Sequence, residues 1–199
     1  MTATILLIRH AAHVDLDRRL SGRAPGVALS EAGRAQAAAL GARLRDRRVD
    51  RIECSPLERT RDTAAAIATA CALPAPTPVP ALLEIDLGEW TGRDIDGFGD
   101  DPAWRAWNER RATASPPGGE AMGAAQARIA KHVAATAATY PGQTIAMVTH
   151  ADMIRAAVAQ VLGLSLDHLL RFDIAVASVT GVVWGGWGAR LLWLNETIR

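Results

Sequence analysis

The sequence predicts an α/β fold with a mainly parallel sheet and helices on both of its faces. Short, continuous apolar runs alternate along the chain with longer Ala-rich segments of helical pattern. Such runs are typical of strands buried on both faces, and strands joined through helices form parallel pairs with right-handed crossovers. Polar residues follow several of these runs directly. They are expected at the carboxyl edge of the sheet, where folds of this class bind their ligands.

The first half of the chain contains two predicted strand–helix pairs and a third strand. Ser30 has a side chain suited to cap a helix, and Pro56 stands near the start of the second helix. A Pro-rich connector at 74–80 precedes the third strand. The predicted elements are, in order, a strand at 5–8 that ends at Arg9 or His10, a helix at 32–47, a strand at 51–54, a helix at 57–72 and a strand at 81–84.

The second half begins with an irregular, Gly-rich segment that we expect to be an insertion over one edge of the sheet. The insertion covers 93–115 and includes a short helical pattern at 104–110. The predicted elements after it are a helix at 120–138, a strand at 144–148 that leads into Thr149 and His150, a helix at 153–162, and a terminal hairpin of 178–184 with 190–195.

Composition and charge exclude several classes of protein. The 199 residues fit one domain, 1–199, and 49% hydrophobic with 22% charged residues is ordinary globular usage. The 22 basic and 21 acidic residues leave a net charge of +1, so nucleic acid is not an expected partner. Two cysteines without metal-ligand spacing indicate a reducing cytoplasm, and no leader or membrane segment is expected. These features leave a homodimer open.

Two histidines follow two of the predicted strands. His10 closes the first strand and His150 closes the fourth, so a parallel sheet brings both to one edge. Arg9, Arg59 and Glu84 are expected near that edge as well. Arginine offers a fork of donors to phosphate oxygens, a neutral imidazole can attack phosphorus, and a carboxyl group can protonate a leaving alkoxide. Each residue alone fits a structural role, but together they favour a phosphate-ester site without a metal or cofactor.

The other histidines and one nearby arginine are expected to have no part in this site. We expect His13, His132 and His168 to be structural residues and Arg61 to lie on a solvated helix face.

Six motifs in order resemble those of the histidine phosphatase superfamily, also called phosphoglycerate mutase-like. They span residues 5 to about 160. The motifs are Leu7-Ile-Arg9-His10; Leu29-Ser-Glu-Ala-Gly33 with Gln36-Ala37; Ser55-Pro-Leu-Glu-Arg59 with Thr63-Ala64; Leu83-Glu84 with Gly88-Glu-Trp90-Thr-Gly92; Pro117-Gly-Gly-Glu120; and Val148-Thr-His150 with Ile154-Arg155.

The resemblance implies a three-layer α/β sandwich and a role for each matching residue. His10 corresponds to the phosphorylated nucleophile, and Glu84 corresponds to the general acid and base. The implied substrate-binding residues are Arg9, Arg59 and His150, which hold the phosphoryl oxygens, together with Ser21, Gly22 and Ala151. The charge balance implied for this site needs a neutral His10 and a protonated His150.

The chain departs from the family pattern around both histidines. Ala11 and Ala151 stand where the family usually has Gly, and an added methyl disfavours a positive φ. Ala12 and His13 replace the usual Glu/Gln and Thr/Ser, and Leu16 replaces a frequent Asn. These changes affect auxiliary phosphate contacts, while all five principal groups are retained.

The expected activity is hydrolysis of a small phosphomonoester through a phosphohistidine on His10. Two alternatives stay open: phosphoglycerate mutase-type transfer, and a weakly catalytic phosphate-ligand sensor. Mutases of the family carry a longer insertion after the acid motif and a tail beyond the last strand. Here only 93–115 separates the acid motif from Pro116, and the sequence stops soon after the predicted hairpin, so we favour the phosphatase. Sugar phosphates, phosphoglycerate derivatives and α-ribazole phosphate are all candidate substrates.

The insertion at 93–115 is expected to be a lid that selects the organic part of the substrate. It follows the acid motif, and its Gly-rich start suits a hinge. Trp104 and Trp107 are three residues apart and so share a helix face, with Phe98 nearby. In the alternative interpretation these rings anchor the insertion to the core. Three arginines, Arg105, Arg110 and Arg111, are candidates for a second contact to an anion.

Overall fold

The computed structural model describes residues 1–197, which form a six-stranded sheet between two layers of helices. The strands are β1 (Thr2–Arg9), β2 (Arg51–Cys54), β3 (Thr77–Pro78), β4 (Thr144–Thr149), β5 (Val179–Gly185) and β6 (Gly188–Glu196). The α-helices are α1 (Glu31–Arg45), α2 (Glu58–Ala70), α3 (Pro102–Glu109), α4 (Met122–Thr139) and α5 (Ala151–Leu162). Four 3₁₀ helices connect them within this range, at Pro80–Leu82, Gly88–Trp90, Ile95–Phe98 and Leu166–Arg171.

The strand order across the sheet is β3-β2-β4-β1-β5-β6. Strands β3, β2, β4 and β1 run parallel to one another, while β5 of the terminal hairpin is antiparallel to β1 and β6 is antiparallel to β5. The mainly parallel sheet predicted from the sequence is therefore confirmed, and so is the terminal hairpin.

Strand β1 shows how the helices cover both faces of the sheet. Ile5 and Leu7 point to one face and pack in the cluster that contains α4 and α5 residues. Leu6 and Ile8 point to the other face and join the cluster with α1 and α2. Since successive side chains of a strand alternate between its faces, an apolar run with no polar residue requires cover on both sides. The three-layer sandwich follows from this pattern.

Helix α1 fixes the loop that leaves β1. The Ser30 hydroxyl accepts a hydrogen bond from the Gly33 backbone N–H at 3.0 Å, which confirms Ser30 as the N-cap. A Cβ at Gly33 would overlap the carbonyl oxygen of Ala12, so this position needs a glycine for close approach. The Ala12 N–H donates to Oε1 of Gln36 at 3.0 Å. The residues that follow His10 are thereby held against the helix.

The predicted third strand at 81–84 is wrong. The edge strand β3 lies earlier, at Thr77–Pro78 inside the Pro-rich connector, and a 3₁₀ helix follows at Pro80–Leu82. Proline has no N–H for a sheet ladder and a φ that suits the first turn of a helix, so the strand stays short and ends before Pro80. Leu82 is fully buried through this turn. Glu84 consequently reaches the site on a loop and not on a strand.

The remaining predictions differ from the structure mainly at helix ends. Helix α1 ends two residues early, α5 begins two residues early, and Pro56 lies before the N-cap of α2, which is Leu57. The predicted helical patch at 104–110 is α3, which begins at Pro102 with Asp101 as its N-cap. Within residues 1–197, none of the helices combines the length and the apolar character that crossing a membrane requires.

Candidate active site

Strand register brings the two histidines together. Arg9 of β1 pairs with Thr149 of β4, so His10 and His150 are the next residues at the same edge. The His10 N–H donates to the Thr149 carbonyl at 3.0 Å, and the two imidazole rings lie 5.2 Å apart between centroids. Both side chains are buried, with exposures of 3% and 0%. The predicted meeting of two residues 140 positions apart is confirmed.

A pocket of about 180 Å³ opens beside this pair. Most of the residues singled out from the sequence contribute to its wall: Arg9, His10, Ser21, Gly22, Arg59, Glu84 and Ala151. His150 is fully buried next to the pocket, in contact with residues that line it. The structure therefore brings all eight predicted site residues to one place.

His10 presents one nitrogen as a potential nucleophile. Its Nδ1 lies 2.9 Å from the carbonyl oxygen of Ala11, and because a carbonyl only accepts, Nδ1 carries the proton. Burial lowers the pKa of His10 well below its ordinary value, and the positive charges of Arg59 and Arg9 lower it further. The ring is therefore neutral near pH 7, and Nε2 keeps its lone pair.

Two arginines in the same pocket wall, the buried Arg59 and the partly buried Arg9, have unused donors. Arg59 is 2% exposed and donates from Nη2 to the Gly22 carbonyl at 2.7 Å, while its Nε and Nη1 have no partner among the described residues. Arg9 donates from Nη1 to the Ile174 carbonyl at 2.6 Å, and its Nε is likewise buried without a partner. Unpaired buried donors are unfavourable, so these guanidinium groups are suited to bind an anion in the pocket.

His150 differs from the sequence-based expectation of a positive charge. Nη2 of Arg59 donates to its Nδ1 at 3.3 Å, so Nδ1 carries no proton, and Nε2–H donates to Ser55 Oγ at 2.9 Å. Burial lowers the pKa of His150 well below its ordinary value, and Arg59 and His10 lower it further. In this arrangement His150 is neutral. The sequence alone does not show this charge state, because Arg59 and Ser55, which contact the ring, lie more than 90 residues away along the chain.

Glu84 lines the pocket close to His150. Its Oε1 accepts the Ile85 backbone N–H at 2.9 Å, and Oε2 is 4.0 Å from Nδ1 of His150. Burial raises the pKa of Glu84 to about 7, and the nearby charge of Asp152 also raises it. A carboxyl group with this pKa exists in both protonation states near neutral pH. It can therefore act as an acid and as a base.

The loop residues Ser21 and Gly22 have distinct contacts. The Ser21 hydroxyl is buried and has no hydrogen-bond partner among residues 1–197. Gly22 has a φ of +47°, and a Cβ there would lie 3.1 Å from the Thr91 hydroxyl oxygen, so the position favours glycine. Its carbonyl orients Arg59. Ser21 is thus a further free donor at the pocket, and Gly22 acts through the arginine.

The two alanines that replace family glycines do not strain the backbone. The non-glycine residues with a positive φ in the described chain are Asp17, Ala72, Ala177 and Asn195, so neither Ala11 nor Ala151 is among them. Ala11 donates its N–H to Thr63 Oγ1 at 3.1 Å. Ala151 is the first residue of α5, where helix N–H groups favour an anion.

Several pocket residues were missed from the sequence, His13 and Asp152 among them. His13 was expected to be structural, yet it lines the pocket with its ring centroid 5.3 Å from that of His10. Its Nδ1 accepts the Asp15 N–H at 3.2 Å, and burial lowers its pKa to about 4, so the neutral ring carries its proton on Nε2.

Asp152 follows Ala151 into the pocket wall. The sequence offered one signal for Asp152: it lies three residues before Arg155 on α5, so the two side chains share a helix face. His132, by contrast, pairs with Glu53 at 2.6 Å, away from the pocket.

Asp152 connects the pocket to the insertion at 93–115. Its Oδ1 accepts from Nη1 of Arg111 at 3.0 Å and from Nη1 of Arg155 at 3.2 Å. Burial favours its neutral form, but the two arginines hold the pKa of Asp152 below its usual value. Asp152 is therefore a partly buried anion whose charge acts on Glu84.

Replacing Asp152 by Asn is expected to move the pH profile of the activity to lower pH. The variant loses a negative charge that raises the pKa of Glu84, and it leaves Arg111 and Arg155 unpaired, so both changes favour ionised Glu84. The alkaline limb of kcat/KM is the measurement. Asp100→Asn, which removes an exposed carboxylate paired with Arg105, is the matched control and should leave the limb in place. An unshifted limb in D152N would contradict this coupling.

The aromatic residues of the insertion pack against the core and not into the pocket. Trp107 is 1% exposed and Phe98 is 3% exposed. Their rings and that of Trp104 surround Trp90, with centroid distances from it of 5.4 to 6.4 Å. Ile95 is the insertion residue that lines the pocket. The packing thus favours the anchoring interpretation of the two Trp residues over a substrate-selecting one.

Trp107→Ala is therefore expected to destabilise the protein by about 3–5 kcal/mol, the usual loss for a large buried ring. Chemical denaturation measures it, and Trp187→Ala is the control because that side chain is 63% exposed. The ranking of kcat/KM among substrates should stay unchanged. A changed ranking with little loss of stability would instead favour substrate selection by this ring.

Of the three arginines considered for a second anion contact, Arg111 is occupied by Asp152, and Arg105 pairs with Asp100 at 2.9 Å. Arg110 is exposed and lies outside the pocket wall.

Within residues 1–197, His, Cys, Asp and Glu side chains form no group of three or more that could hold a metal ion.

Comparison with known proteins agrees with this geometry. The sequence profile of the histidine phosphatase superfamily (branch 1) matches residues 5–197. An uncharacterized Mycobacterium tuberculosis protein, Rv0525, is 33% identical over 184 residues, which cover 90% of this chain and 89% of that protein. A 2,3-bisphosphoglycerate-dependent phosphoglycerate mutase from Chelativorans is 28% identical over 188 residues, with 88% and 89% coverage.

A similar solved structure belongs to a phosphatase. The mycobacterial glucosyl-3-phosphoglycerate phosphatase superposes with a TM-score of 0.88 at 27% identity, covering 99% of this chain and 100% of that one. The profile match spans nearly the whole chain; Arg9, His10, Arg59 and Glu84 line one pocket, and His150 lies next to it. The chain belongs to the histidine phosphatase superfamily, branch 1.

Proposed function

We propose that this protein hydrolyses small phosphomonoesters in two steps, with a covalent phosphohistidine on His10. The observation that carries this proposal is the set of unpartnered guanidinium N–H groups of Arg9 and Arg59 in the pocket wall beside a neutral imidazole. Positively charged donors bind the phosphoryl oxygens, and a free Nε2 is the atom that can attack phosphorus. Phosphoryl transfer depends mainly on such positioning and charge stabilisation.

In the first step, Nε2 of His10 attacks phosphorus in line with the ester oxygen. The N–P bond forms as the P–O ester bond breaks, and the leaving alkoxide takes the proton of Glu84. The Nδ1–H of the phosphohistidine keeps its hydrogen bond to the Ala11 carbonyl, which stabilises the positive charge that the ring acquires.

In the second step, the Glu84 carboxylate takes a proton from a water molecule. The water oxygen attacks phosphorus, the N–P bond breaks, and the electron pair returns to Nε2 of His10. Inorganic phosphate leaves, and Glu84 is again protonated for the next ester. A single group with a pKa of about 7 suits both halves of this cycle.

His150 supports the charge balance in a different way from that expected from the sequence. In its neutral form it orients Arg59 by accepting a hydrogen bond at Nδ1. A phosphate dianion in the pocket would raise the pKa of this buried imidazole, since an opposite charge favours the protonated form. Arg9 and Arg59 therefore provide the permanent positive charge, and His150 adds a charge only together with the dianion.

The mutase alternative is supported by the Chelativorans relative, and it differs only in the acceptor of the phosphoryl group. Trapping the phosphohistidine with a labelled phosphomonoester and following the label distinguishes the two. Hydrolysis releases all label as inorganic phosphate, with or without an added alcohol acceptor. Transfer of most label to 3-phosphoglycerate would overturn the phosphatase assignment. No turnover of p-nitrophenyl phosphate would favour the sensor instead.

Exhaustive chelation is expected to leave the activity unchanged. The positive charge at the proposed phosphoryl site comes from Arg9 and Arg59, which stay protonated at every working pH. The measurement is kcat/KM before and after dialysis against a chelator, with a known Mg²⁺-dependent phosphatase as control. A loss that Mg²⁺, Mn²⁺ or Zn²⁺ specifically restores would refute this account of the charge.

The proposed partner is a small phosphate ester. A single domain with a lid at 93–115, a cytoplasmic location and the absence of nucleic acid as a partner remain predictions, and a homodimer remains open.

A further inference from the structure

The pocket wall contains two chemically different sets of side chains beside the other polar residues that line it. One set is His10 with Arg9 and Arg59, whose guanidinium groups have unused donors. The other set is four large apolar side chains, Leu16, Leu20, Leu87 and Ile95. We call the four apolar side chains the apolar wall; they line the same pocket as the arginines, so the organic group of an ester bound at the arginines has an apolar surface within the pocket.

Backbone hydrogen bonds between two separate segments hold the apolar wall in place. The Leu20 N–H donates to the Arg93 carbonyl at 2.9 Å, and the Gly92 N–H donates to the Leu20 carbonyl at 2.7 Å. The Ile95 N–H donates to the Arg18 carbonyl at 2.9 Å. The loop after β1 and the start of the insertion are thus held in register, with Leu16, Leu20 and Ile95 on the pocket side.

The cation beside the apolar wall is Arg19, and it is already paired with a carboxylate. Arg19 lines the pocket, and its Nε donates to Asp94 Oδ1 at 2.9 Å. Asp17 also lines the pocket and adds a negative charge. The ion pair between Arg19 and Asp94 is exposed and therefore weak. If this contact opens, the summed charge of Asp17, Arg19 and Asp94 is still negative.

The other arginines close to the site are paired as well. Arg23 bonds Asp86 at 3.4 Å and Glu120 at 2.9 Å. Arg111 and Arg155 share Asp152. Among the lining residues that the structure describes, the cation other than Arg9 and Arg59 is Arg19, which is already paired. With the phosphoryl group on Arg9 and Arg59, a second phosphate or a carboxylate on the substrate would leave water for the apolar wall without a free cation, which is unfavourable.

We propose that the substrates of this site are phosphomonoesters with one anionic group, whose organic part is uncharged and apolar and packs on Leu16, Leu20, Leu87 and Ile95. This inference rests on the proposed phosphatase function. The proposed substrates differ from those in the names of two relatives, the mutase and the glucosyl-3-phosphoglycerate phosphatase, because phosphoglycerates carry a carboxylate.

The first test is the homologous series of methyl, ethyl, propyl and butyl phosphates, whose leaving groups are similarly basic. Each methylene that is buried on the apolar wall should raise kcat/KM by about fourfold. The phosphate monoester of 4-hydroxybutanoate has as many carbons as butyl phosphate but ends in a carboxylate. Its kcat/KM should be at least about tenfold below that of butyl phosphate, the factor that 1.4 kcal/mol represents.

Variants locate the effect on the wall. Leu16→Arg should raise kcat/KM for the carboxylate ester by about tenfold and lower it for butyl phosphate. Val14→Arg is the matched control because Val14 is on the same loop but is 52% exposed and outside the pocket wall, so it should change neither value. Ile95→Ala should flatten the dependence on chain length without reversing it.

The outcomes separate this inference from the proposed function. Turnover with a phosphohistidine on His10, but with the carboxylate ester preferred or with no dependence on chain length, would overturn the inference and leave the phosphatase intact. Equal responses of L16R and V14R would also overturn it. Absence of turnover and of the label on every ester would overturn the proposed function. In that case the dissociation constants of butyl phosphate and the carboxylate ester, measured by calorimetry on the wild-type protein, still test the preference.

Discussion

Replacing His10 by Ala is expected to lower turnover by a factor on the order of 10⁴ or more, as loss of a covalent nucleophile does. The variant keeps the arginine donors but has no atom that can form the N–P bond. Rapid mixing with a phosphomonoester, quenching in alkali and mass spectrometry should detect a phosphorylated peptide containing His10 in the wild-type protein. The same peptide should be unmodified in H10A.

Two further histidine variants make this result specific. His168→Ala is the matched control because His168 lies in the 3₁₀ helix Leu166–Arg171, outside the pocket wall, so both label and turnover should persist. His150→Ala should still accept the label, although more slowly, since its loss disturbs Arg59. A label on His150, or wild-type turnover in H10A, would show that His10 is not the nucleophile.

The sequence could predict the parallel part of the sheet because its signals are local. The apolar run 5–8 is followed at once by Arg9 and His10, and 144–148 is followed by Thr149 and His150. The same local pattern failed at 81–84, where an apolar run becomes a 3₁₀ turn. There the prolines at 78 and 80 decide the outcome, because they limit backbone hydrogen bonding with β2.

The positions of the site residues could be predicted, but their charge states could not. His150 is neutral because of Arg59 and Ser55, and the pKa of Glu84 is raised by burial and by Asp152. Each of these influences comes from residues that are distant in sequence and acquire their effect only after folding. The same holds for the Trp rings of the insertion, whose helical spacing fits a pocket-facing and a core-facing orientation equally well until Trp90 and Phe98 are placed beside them.

Glu84 also links catalysis to stability. Its pKa is about 7 in the folded protein and near its ordinary value of 4.5 in the unfolded chain. The unfolded chain therefore ionises first as the pH rises, so the folded state is favoured below about 4.5 and loses that advantage as the pH rises through about 7. Glu84→Gln removes this ionisation. The variant should equal or exceed the wild type in thermal stability above pH 7, which separates a catalytic loss from a folding defect.

Glu84→Gln is expected to reduce kcat on alkyl phosphates by about 10²- to 10⁴-fold, with a smaller effect on KM, because a general acid acts mainly in the transition state. The loss should be much smaller for p-nitrophenyl phosphate in the phosphorylation step, since p-nitrophenolate leaves without a proton. In the wild type, kcat/KM for alkyl esters should fall as the pH rises through about 7, where Glu84 loses its proton, and E84Q should lack this limb.

The matched control is Glu89→Gln, because Glu89 is an exposed carboxylate in the nearby 3₁₀ helix Gly88–Trp90 and lies outside the pocket wall. It should leave kcat, KM and the pH limb unchanged. Equal losses of E84Q on alkyl and aryl esters would contradict proton donation by Glu84, and so would a persistent limb near pH 7. Either result would leave Glu84 with a role in orienting its neighbours, and the proton of the leaving group would have to come from another source.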